Sequence, residues 1–170
     1  MVDSEFILIV DDHPLFRHGL KSLIAEAFPD KSVVEAGSMS EARTVADQTG
    51  PGIAILDVTL PDGDGITFAG EYLLKSPESR FYILTMHRRS GLLTRARDAG
   101  CRGYFLKEGD GGALIKAIKT DDCDFQISPQ LQDVFEPAGG AGDMSVSYAH
   151  LTRREKELFR LFAEGLGYKE

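Results

Sequence analysis

Runs of apolar residues alternate along the first two thirds of the chain with stretches in which apolar residues recur every three or four positions. The runs are short and are bounded by Gly, Pro, Ser or Asp, which is typical of strands buried on both faces of a parallel sheet. The pattern predicts five strands, at residues 6–10, 32–36, 52–56, 81–85 and 103–107. The third is predicted to be a central strand of the sheet.

The first two predicted helices have clear starting signals. Pro14 suits the first turn of a helix that follows the first strand, and Ser38 with Glu41 has the form of a capping box. Both helices have an apolar face at helical spacing. The residues predicted to face inward are Leu15, Phe16, Leu20, Leu23, Ile24, Ala27, Phe28, Ala42, Val45 and Ala46.

Three further helices are predicted after the later strands. The third covers about residues 65–75 and ends before a proline, and the fourth covers about residues 91–99, where Gly100 is a suitable C-terminal cap. The fifth covers about residues 113–119, because the glycine pair at 111–112 lowers the helix propensity of any earlier start. Five strand–helix alternations predict a doubly wound α/β fold, a five-stranded parallel sheet with helices on both faces.

The order becomes looser after residue 119. Ser128 and Pro129 predict a short helix to about Phe135, residues 137–143 have the composition of a flexible linker, and residues 152–155 form a capping box before an amphipathic helix. The predicted organisation is a first domain at residues 1–128, a short helix and linker at 129–150, and the start of a second domain at 151–170.

Composition limits the classes of function. The 170 residues carry a formal net charge of −8, which argues against a chain that binds nucleic acid or membranes over its whole surface. Cys101 and Cys123 give neither a disulfide framework nor a metal-ligand spacing. No secretory or bilayer-spanning segment is evident. A cytoplasmic location and no membrane partner are therefore expected.

Polar residues stand where the predicted strands end. Asp11 and Asp12 follow the first strand, Asp57 follows the third, and Thr85 and Lys107 end the fourth and fifth. Right-handed crossovers bring all these ends to one edge of the sheet, where the sites of open α/β folds lie. The sequence therefore predicts one polar site built from distant segments.

The residue types favour phosphoryl chemistry with a divalent cation. Neighbouring carboxylates repel one another, and Mg²⁺ relieves this by binding one or two of them together with water and phosphate oxygens. Asp57 is the expected nucleophile, forming an acyl phosphate, while Asp11 and Asp12 hold the metal. Lys107 supplies a counter-charge and Thr85 a hydroxyl donor. The backbone carbonyl of Thr59 is a further candidate metal ligand.

Each of these residues also has an ordinary interpretation. Asp11 or Asp12 could cap the following helix, Lys107 could be solvated at a strand end, Thr85 is a good β-former, and Asp57 could be a turn residue. The functional interpretation is preferred because the ordinary ones require independent coincidences at matching strand ends.

These residues and their separations resemble the receiver domain of bacterial two-component response regulators, over about residues 5–120. The segments 12–14, 17–20 and 84–87 narrow the resemblance to the NarL/FixJ family. The resemblance implies a CheY-like (flavodoxin-like) strand order of 2-1-3-4-5. It also implies Mg²⁺ (or Mn²⁺) and a sensor histidine kinase that donates a phosphoryl group to Asp57. Such a protein is a phosphoacceptor that assists its own phosphorylation and dephosphorylation, and not an enzyme.

The resemblance also implies a switch. Thr85 and Tyr104 are expected to move together, with Lys107 and the backbone of Met86 stabilising the phosphoryl group. Tyr104 could instead be ordinary aromatic packing. Three features depart from the family pattern. Met86 is bulkier than the small residue common at that position, which could narrow the access of a phosphoryl group. Residues 88–89 are basic where the family is often acidic, and the glycine pair at 111–112 could loosen the start of the fifth helix.

The last twenty residues or so, from Leu151 to Glu170, resemble the opening of a LuxR-type DNA-binding domain. The printed sequence ends where the helix before the recognition helix would begin. No complete DNA-binding site is therefore expected in this chain, and DNA is expected as a partner only through the rest of such a domain. The family often forms dimers, so a homodimer is left open.

Other classes of function fit less well. A stand-alone receiver that acts by protein contact or phosphorelay would share the same site. A haloacid dehalogenase-like phosphohydrolase would need an acid two residues after the nucleophile, where this chain has Thr59. A dinucleotide-binding fold would need a Gly-x-Gly-x-x-Gly segment after the first strand. Residues 62–65 resemble a calcium loop superficially, but Ile66 lacks an oxygen ligand.

Overall fold

A computed structural model describes residues 5–109, 111–120 and 124–132 of the protein. Strands and helices alternate through these residues as the sequence pattern predicts. The strands are β1 (Phe6–Val10), β2 (Ser32–Ala36), β3 (Ile53–Leu56), β4 (Thr59–Leu60), β5 (Gly63–Asp64), β6 (Arg80–Thr85), β7 (Gly103–Leu106) and β8 (Gln126–Ile127). The helices are α1 (Pro14–Ala27), α2 (Met39–Thr49), α3 (Gly65–Lys75), α4 (Ser90–Asp98) and α5 (Gly111–Thr120).

The main sheet is parallel throughout, with the strand order β2-β1-β3-β6-β7-β8. Its first five members confirm the predicted order, and β1 and β3 occupy its interior. All five predicted strands of the sheet are confirmed, and a short sixth strand, β8, extends its edge by pairing with β7 through Tyr104 and Ile127. A strand of two residues is too short to produce a periodic signal in the sequence.

Side chains of the sheet alternate between two apolar layers. The layer under α2, α3 and α4 contains Leu8, Leu56, Ile83 and Tyr104, all fully buried or nearly so. The opposite layer, under α1 and α5, contains Ile7, Ile9, Ile55, Tyr82 and Phe105. Burying one such side chain contributes about 1.5–3 kcal/mol, so the two layers hold each strand end firmly in place.

Helix boundaries follow the predicted signals closely. Pro14 lies in the first turn of α1, and the Ser38 hydroxyl accepts a hydrogen bond from the Glu41 amide at the start of α2. The Glu41 carboxylate in turn accepts one from the Gly37 amide. Helix α4 ends at Asp98 with Ala99 as its C-cap, and Gly100 follows with a φ of 89°, a conformation that favours glycine.

Two expectations about the helices are wrong, and a third is confirmed only in part. Leu15, predicted to face the core, is 91% exposed, since the buried face of α1 is centred on Leu20 and Ile24. Helix α5 begins at Gly111, two residues before the predicted start. Ser128 and Pro129 do begin a helical segment, which within the described residues is one 3-10 turn, Pro129–Leu131. The Ser128 hydroxyl does not cap this turn, because it accepts a hydrogen bond from the Leu106 amide.

Several other predictions fall outside the described residues. They are the helix end at Phe135, the linker at 137–143, the helix after residue 152 and the thiol of Cys123, so the domain boundaries and the LuxR-like segment stay predictions.

Cys101 is a buried free thiol, and burial raises its pKa to about 12. Within the described part of the chain, no helix has the length and apolar character needed to cross a bilayer.

The loop after β3 folds into a small hairpin that the sequence did not predict. Strands β4 and β5 pair antiparallel, and the Gly65 amide donates a hydrogen bond to the carbonyl of Val58. A Cβ atom on Gly65 would lie 2.0 Å from the backbone oxygen of Asp57. Glycine is required here because the start of α3 passes directly over the end of β3.

We expect Gly65→Ala to lower the free energy of unfolding by about 1–3 kcal/mol, because the added methyl group meets backbone that cannot move aside cheaply. Gly19→Ala is the matched control. Gly19 lies within α1 with no atom near its missing Cβ, so this change should raise stability by about 0.5–1 kcal/mol. Urea denaturation of both variants measures the difference, and equal effects would contradict the proposed contact.

Candidate functional site

The predicted site residues come together at the carboxyl edge of the sheet. Backbone hydrogen bonds continue the strand pairing one residue beyond each strand: the Asp57 amide donates to the carbonyl of Val10, and the Lys107 amide donates to that of Thr85. The Asp11 amide donates to the carbonyl of Ala36. The sheet itself therefore fixes where these side chains begin.

Lys107 connects the two buried carboxylates. Its Nζ lies 2.5 Å from Asp57 Oδ2 and 2.7 Å from Asp11 Oδ2. The three side chains are only 5%, 8% and 3% exposed, in that order. Burial by itself lowers the pKa of Lys107, but the hydrogen bonds and charges of the two aspartates outweigh it and raise the pKa above its ordinary value. One ammonium thus stands between two carboxylates.

Phe16 also contacts this lysine. The Lys107 Nζ lies 4.8 Å from the centre of the Phe16 ring, within the range of a cation–π interaction. The sequence pattern predicted only that Phe16 faces inward, since nothing local links residue 16 to residue 107. The ring helps to hold the ammonium at the carboxylates.

The acidic residues form a cluster with room for a cation. One ligand atom from each of Asp11, Asp12, His13 and Asp57 lies within 4.8 Å of the others. Asp12 Oδ1 is buried and accepts no hydrogen bond of ordinary geometry, although His13 Nδ1 is 2.9 Å away. A buried carboxylate oxygen that lacks a hydrogen-bond donor is a suitable ligand for a hard divalent ion, so the residues fit Mg²⁺ or Mn²⁺.

The segment that carries the first two acids is held by its own hydrogen bonds. The Arg17 guanidinium donates to the carbonyl of Asp11 at 2.5 Å, and its Nε lies 3.4 Å from Glu35. A hydrogen bond from Lys21 keeps the pKa of the Glu35 carboxyl below its usual value. Arg17 therefore joins the acidic segment to the neighbouring strand β2.

The interpretation of Asp11 or Asp12 as a helix cap is wrong. Asp11 Oδ1 accepts from the amide of His13, which is itself the N-cap residue of α1 and makes no side-chain cap. Both carboxylates are therefore directed to the site and not to the first turn of α1.

Two of the predicted residues meet at the loop between β6 and α4. The fully buried Thr85 hydroxyl accepts a hydrogen bond from the His87 amide at 3.3 Å. The Tyr104 hydroxyl donates to the carbonyl of His87 at 2.7 Å. Burial, with the negative charge of Asp57 as a second cause, raises the pKa of Tyr104 to about 12. His87 is thus a site residue that the sequence did not identify.

The remaining candidates lie nearer the surface. Thr59 is exposed on β4, with its hydroxyl 3.2 Å from the His87 ring, and a metal-binding role for its carbonyl stays a prediction. The Met86 side chain is exposed, so its bulk lies largely in solvent, while the role of its backbone stays a prediction. Arg88 pairs with Glu108 at 2.7 Å.

Lys107→Met should lower the free energy of unfolding by about 3 kcal/mol, because two buried carboxylates lose their counter-charge. Lys21→Met is the matched control: Lys21 pairs with Glu35 at 2.6 Å, but its side chain is 42% exposed, so the loss should stay below about 1 kcal/mol. Urea denaturation without divalent ions tests this. Similar losses in the two variants would contradict the buried triad.

The pKa of Tyr104 offers a second test. Asp57→Asn removes a nearby negative charge and should lower this pKa, while burial keeps it above 10.0. Because the folded pKa is raised, the contribution to stability is complete below pH 10.0 and is lost as the pH rises towards about 12. Carbon-13 NMR of the tyrosine rings, assigned with Tyr104→Phe, measures the shift. Tyr72, whose pKa is raised by burial, serves as control and should not change.

Comparison with known proteins agrees with this geometry. A family described as the response regulator receiver domain matches residues 7–119. The DNA-binding transcriptional activator DevR/DosR of Mycobacterium tuberculosis is 35% identical over 171 residues, which cover 96% of this chain and 76% of that protein. The nitrate/nitrite response regulator NarL of Escherichia coli K12 is 29% identical, with 96% and 77% covered.

Solved structures give the same result. The crystal structure of a LuxR-family two-component response regulator from Aurantimonas is 35% identical, with a TM-score of 0.68, and the match covers 75% of this chain and 92% of that one. The RcsB response regulator of Salmonella typhimurium is 27% identical, also with a TM-score of 0.68, and the match covers 95% of this chain and 78% of that one. The chain therefore belongs to the two-component response regulators of the NarL/LuxR type.

Proposed function

We propose that Asp57 accepts a phosphoryl group from a sensor histidine kinase and that this reaction switches a transcriptional output. The observation that carries the proposal is the buried contact of Lys107 with both Asp57 and Asp11. An ammonium held beside the acceptor carboxylate is already placed to balance the charge of an incoming phosphoryl group. No rearrangement of the sheet is needed to provide it.

The chemistry assigns a task to each residue. An oxygen of the Asp57 carboxylate attacks phosphorus, forming an acyl phosphate while the phosphorus–nitrogen bond of the donor phosphohistidine breaks. Lys107 donates a hydrogen bond to Asp57 Oδ2, so its ammonium lies beside the carboxylate that would carry the phosphoryl group. A divalent ion held by Asp11, Asp12 and Asp57, with the carbonyl of Thr59 as a further candidate ligand, would neutralise charge on the phosphoryl oxygens.

The switch follows from the contacts of Thr85. Its hydroxyl now accepts from the His87 amide, and a phosphoryl group on Asp57 would offer that hydroxyl a charged acceptor, which makes a stronger hydrogen bond than a neutral one. Thr85 would then turn towards the site, with the backbone amide of Met86 and Lys107 as further donors. The His87 loop, which Tyr104 also holds, would be rearranged.

The proposed effect on transcription rests on the similarity of this chain to known transcriptional regulators. DevR/DosR is named as a DNA-binding transcriptional activator, and we infer that this receiver controls transcription through a DNA-binding domain of the type that residues 151–170 resemble. The residues that would contact DNA lie outside the described part of the chain. A phosphohydrolase of the haloacid dehalogenase type is disfavoured, because the exposed Thr59 stands where a second acid would be needed.

The proposal is tested by intact-mass analysis after incubation with Mg²⁺ and a small phosphodonor. Wild type should gain one phosphoryl adduct that depends on the cation, and Asp57→Asn should gain none. The loss of reaction follows because an amide oxygen is a poor nucleophile compared with a carboxylate.

Asp62→Asn is the control for this experiment. Asp62 lies in the hairpin five residues after Asp57, but its carboxylate accepts hydrogen bonds from the Met39 and Ser40 amides at the start of α2. This variant should keep the adduct. An adduct that persists in Asp57→Asn, or that forms equally without a divalent ion, would overturn the proposal.

A further inference from the structure

We propose that His13 is a fourth side-chain ligand of the cation site and gives it a preference for transition-metal ions of the Co²⁺, Ni²⁺ and Zn²⁺ class over Mg²⁺. The inference rests on the proposed metal site and adds to it a residue that selects the ion. The acids alone form a site for a hard cation, whereas an imidazole nitrogen suits ions further along the transition series.

The position of the imidazole supports this role. Nδ1 of His13 lies 2.9 Å from Asp12 Oδ1 and 3.3 Å from Asp11 Oδ1. Two ligands on adjacent corners of an octahedron, with metal bonds of about 2.0–2.1 Å, stand about 2.9 Å apart. The nitrogen is therefore separated from the two carboxylate oxygens roughly as adjacent ligands of a single ion are.

The backbone fixes the position from which the ring reaches the cluster. His13 is the N-cap of α1, its amide donates to Asp11 Oδ1, and its carbonyl accepts from the Arg17 amide. Pro14 follows directly and restricts the conformation of the preceding residue. The side chain of His13 is exposed, so the ring can turn onto an ion without disturbing the core.

A fourth protein ligand changes what the site can accept. Mg²⁺ keeps several waters and leaves coordination positions for phosphate oxygens. An ion that also binds His13 has one fewer coordination position for a phosphate oxygen. Because it binds the same carboxylates, it would compete with Mg²⁺ for the site. The other two histidines of the described residues differ: His18 lies on the exposed side of α1, and the His87 ring contacts Thr59. Neither belongs to the cluster.

The experiment compares Co²⁺ with Mg²⁺ on the whole chain. Calorimetric titration gives the affinity of each ion for wild type, His13→Ala and His18→Ala. Co²⁺ binding is assigned to the cation site only where excess Mg²⁺ displaces the Co²⁺. We expect His13→Ala to weaken Co²⁺ binding by about tenfold or more and to change Mg²⁺ binding by less than about twofold, because Mg²⁺ prefers oxygen ligands. His18→Ala should match wild type for both ions.

NMR of the wild type provides a readout that does not depend on a variant. The ring signals of His13 should show large paramagnetic shifts with Co²⁺, and those of His18 should not. Unchanged Co²⁺ affinity in His13→Ala, or unshifted His13 signals, would overturn this inference while leaving the Mg²⁺ site intact. If neither ion binds to wild type, the proposed metal site fails together with it.

Discussion

The ammonium of Lys107 is the interaction on which the site depends. Asp11 and Asp57 are both almost fully buried, and two carboxylates so close together would repel each other strongly in a medium of low polarity. Lys107 makes their burial tolerable by contacting one oxygen of each. Both carboxylates also belong to the acidic cluster, so the stability of the fold and the chemistry of the site depend on the same lysine.

The parallel sheet makes this arrangement possible. Each of the three residues is the first after a buried strand, and each takes part in the strand pairing through its backbone amide. Their side chains therefore start from positions set by the two apolar layers. Forming the site requires little further loss of conformational entropy, because the residues that position its side chains are already fixed by folding.

The sequence predicts the fold and the main site residues for a physical reason. Strands buried on both faces produce uninterrupted apolar runs, and a charged residue at the end of such a run is easily recognised. Asp57 and Lys107 were found in this way. Contacts that connect distant segments without a local signal were missed, as with Phe16 against Lys107 and Tyr104 against the carbonyl of His87. The short edge strand β8 was missed because it has only two residues.

That edge strand has a consequence for how the receiver communicates. It pairs with β7, and the Ser128 amide donates to the carbonyl of Tyr104 while the Ser128 hydroxyl accepts from the Leu106 amide. Residues 126–128, which follow α5, are therefore hydrogen-bonded to β7, the strand that contains Tyr104 and leads into Lys107. The backbone on the way out of the sheet therefore lies directly beside Tyr104, so any displacement of β7 would be met first at residues 126–128.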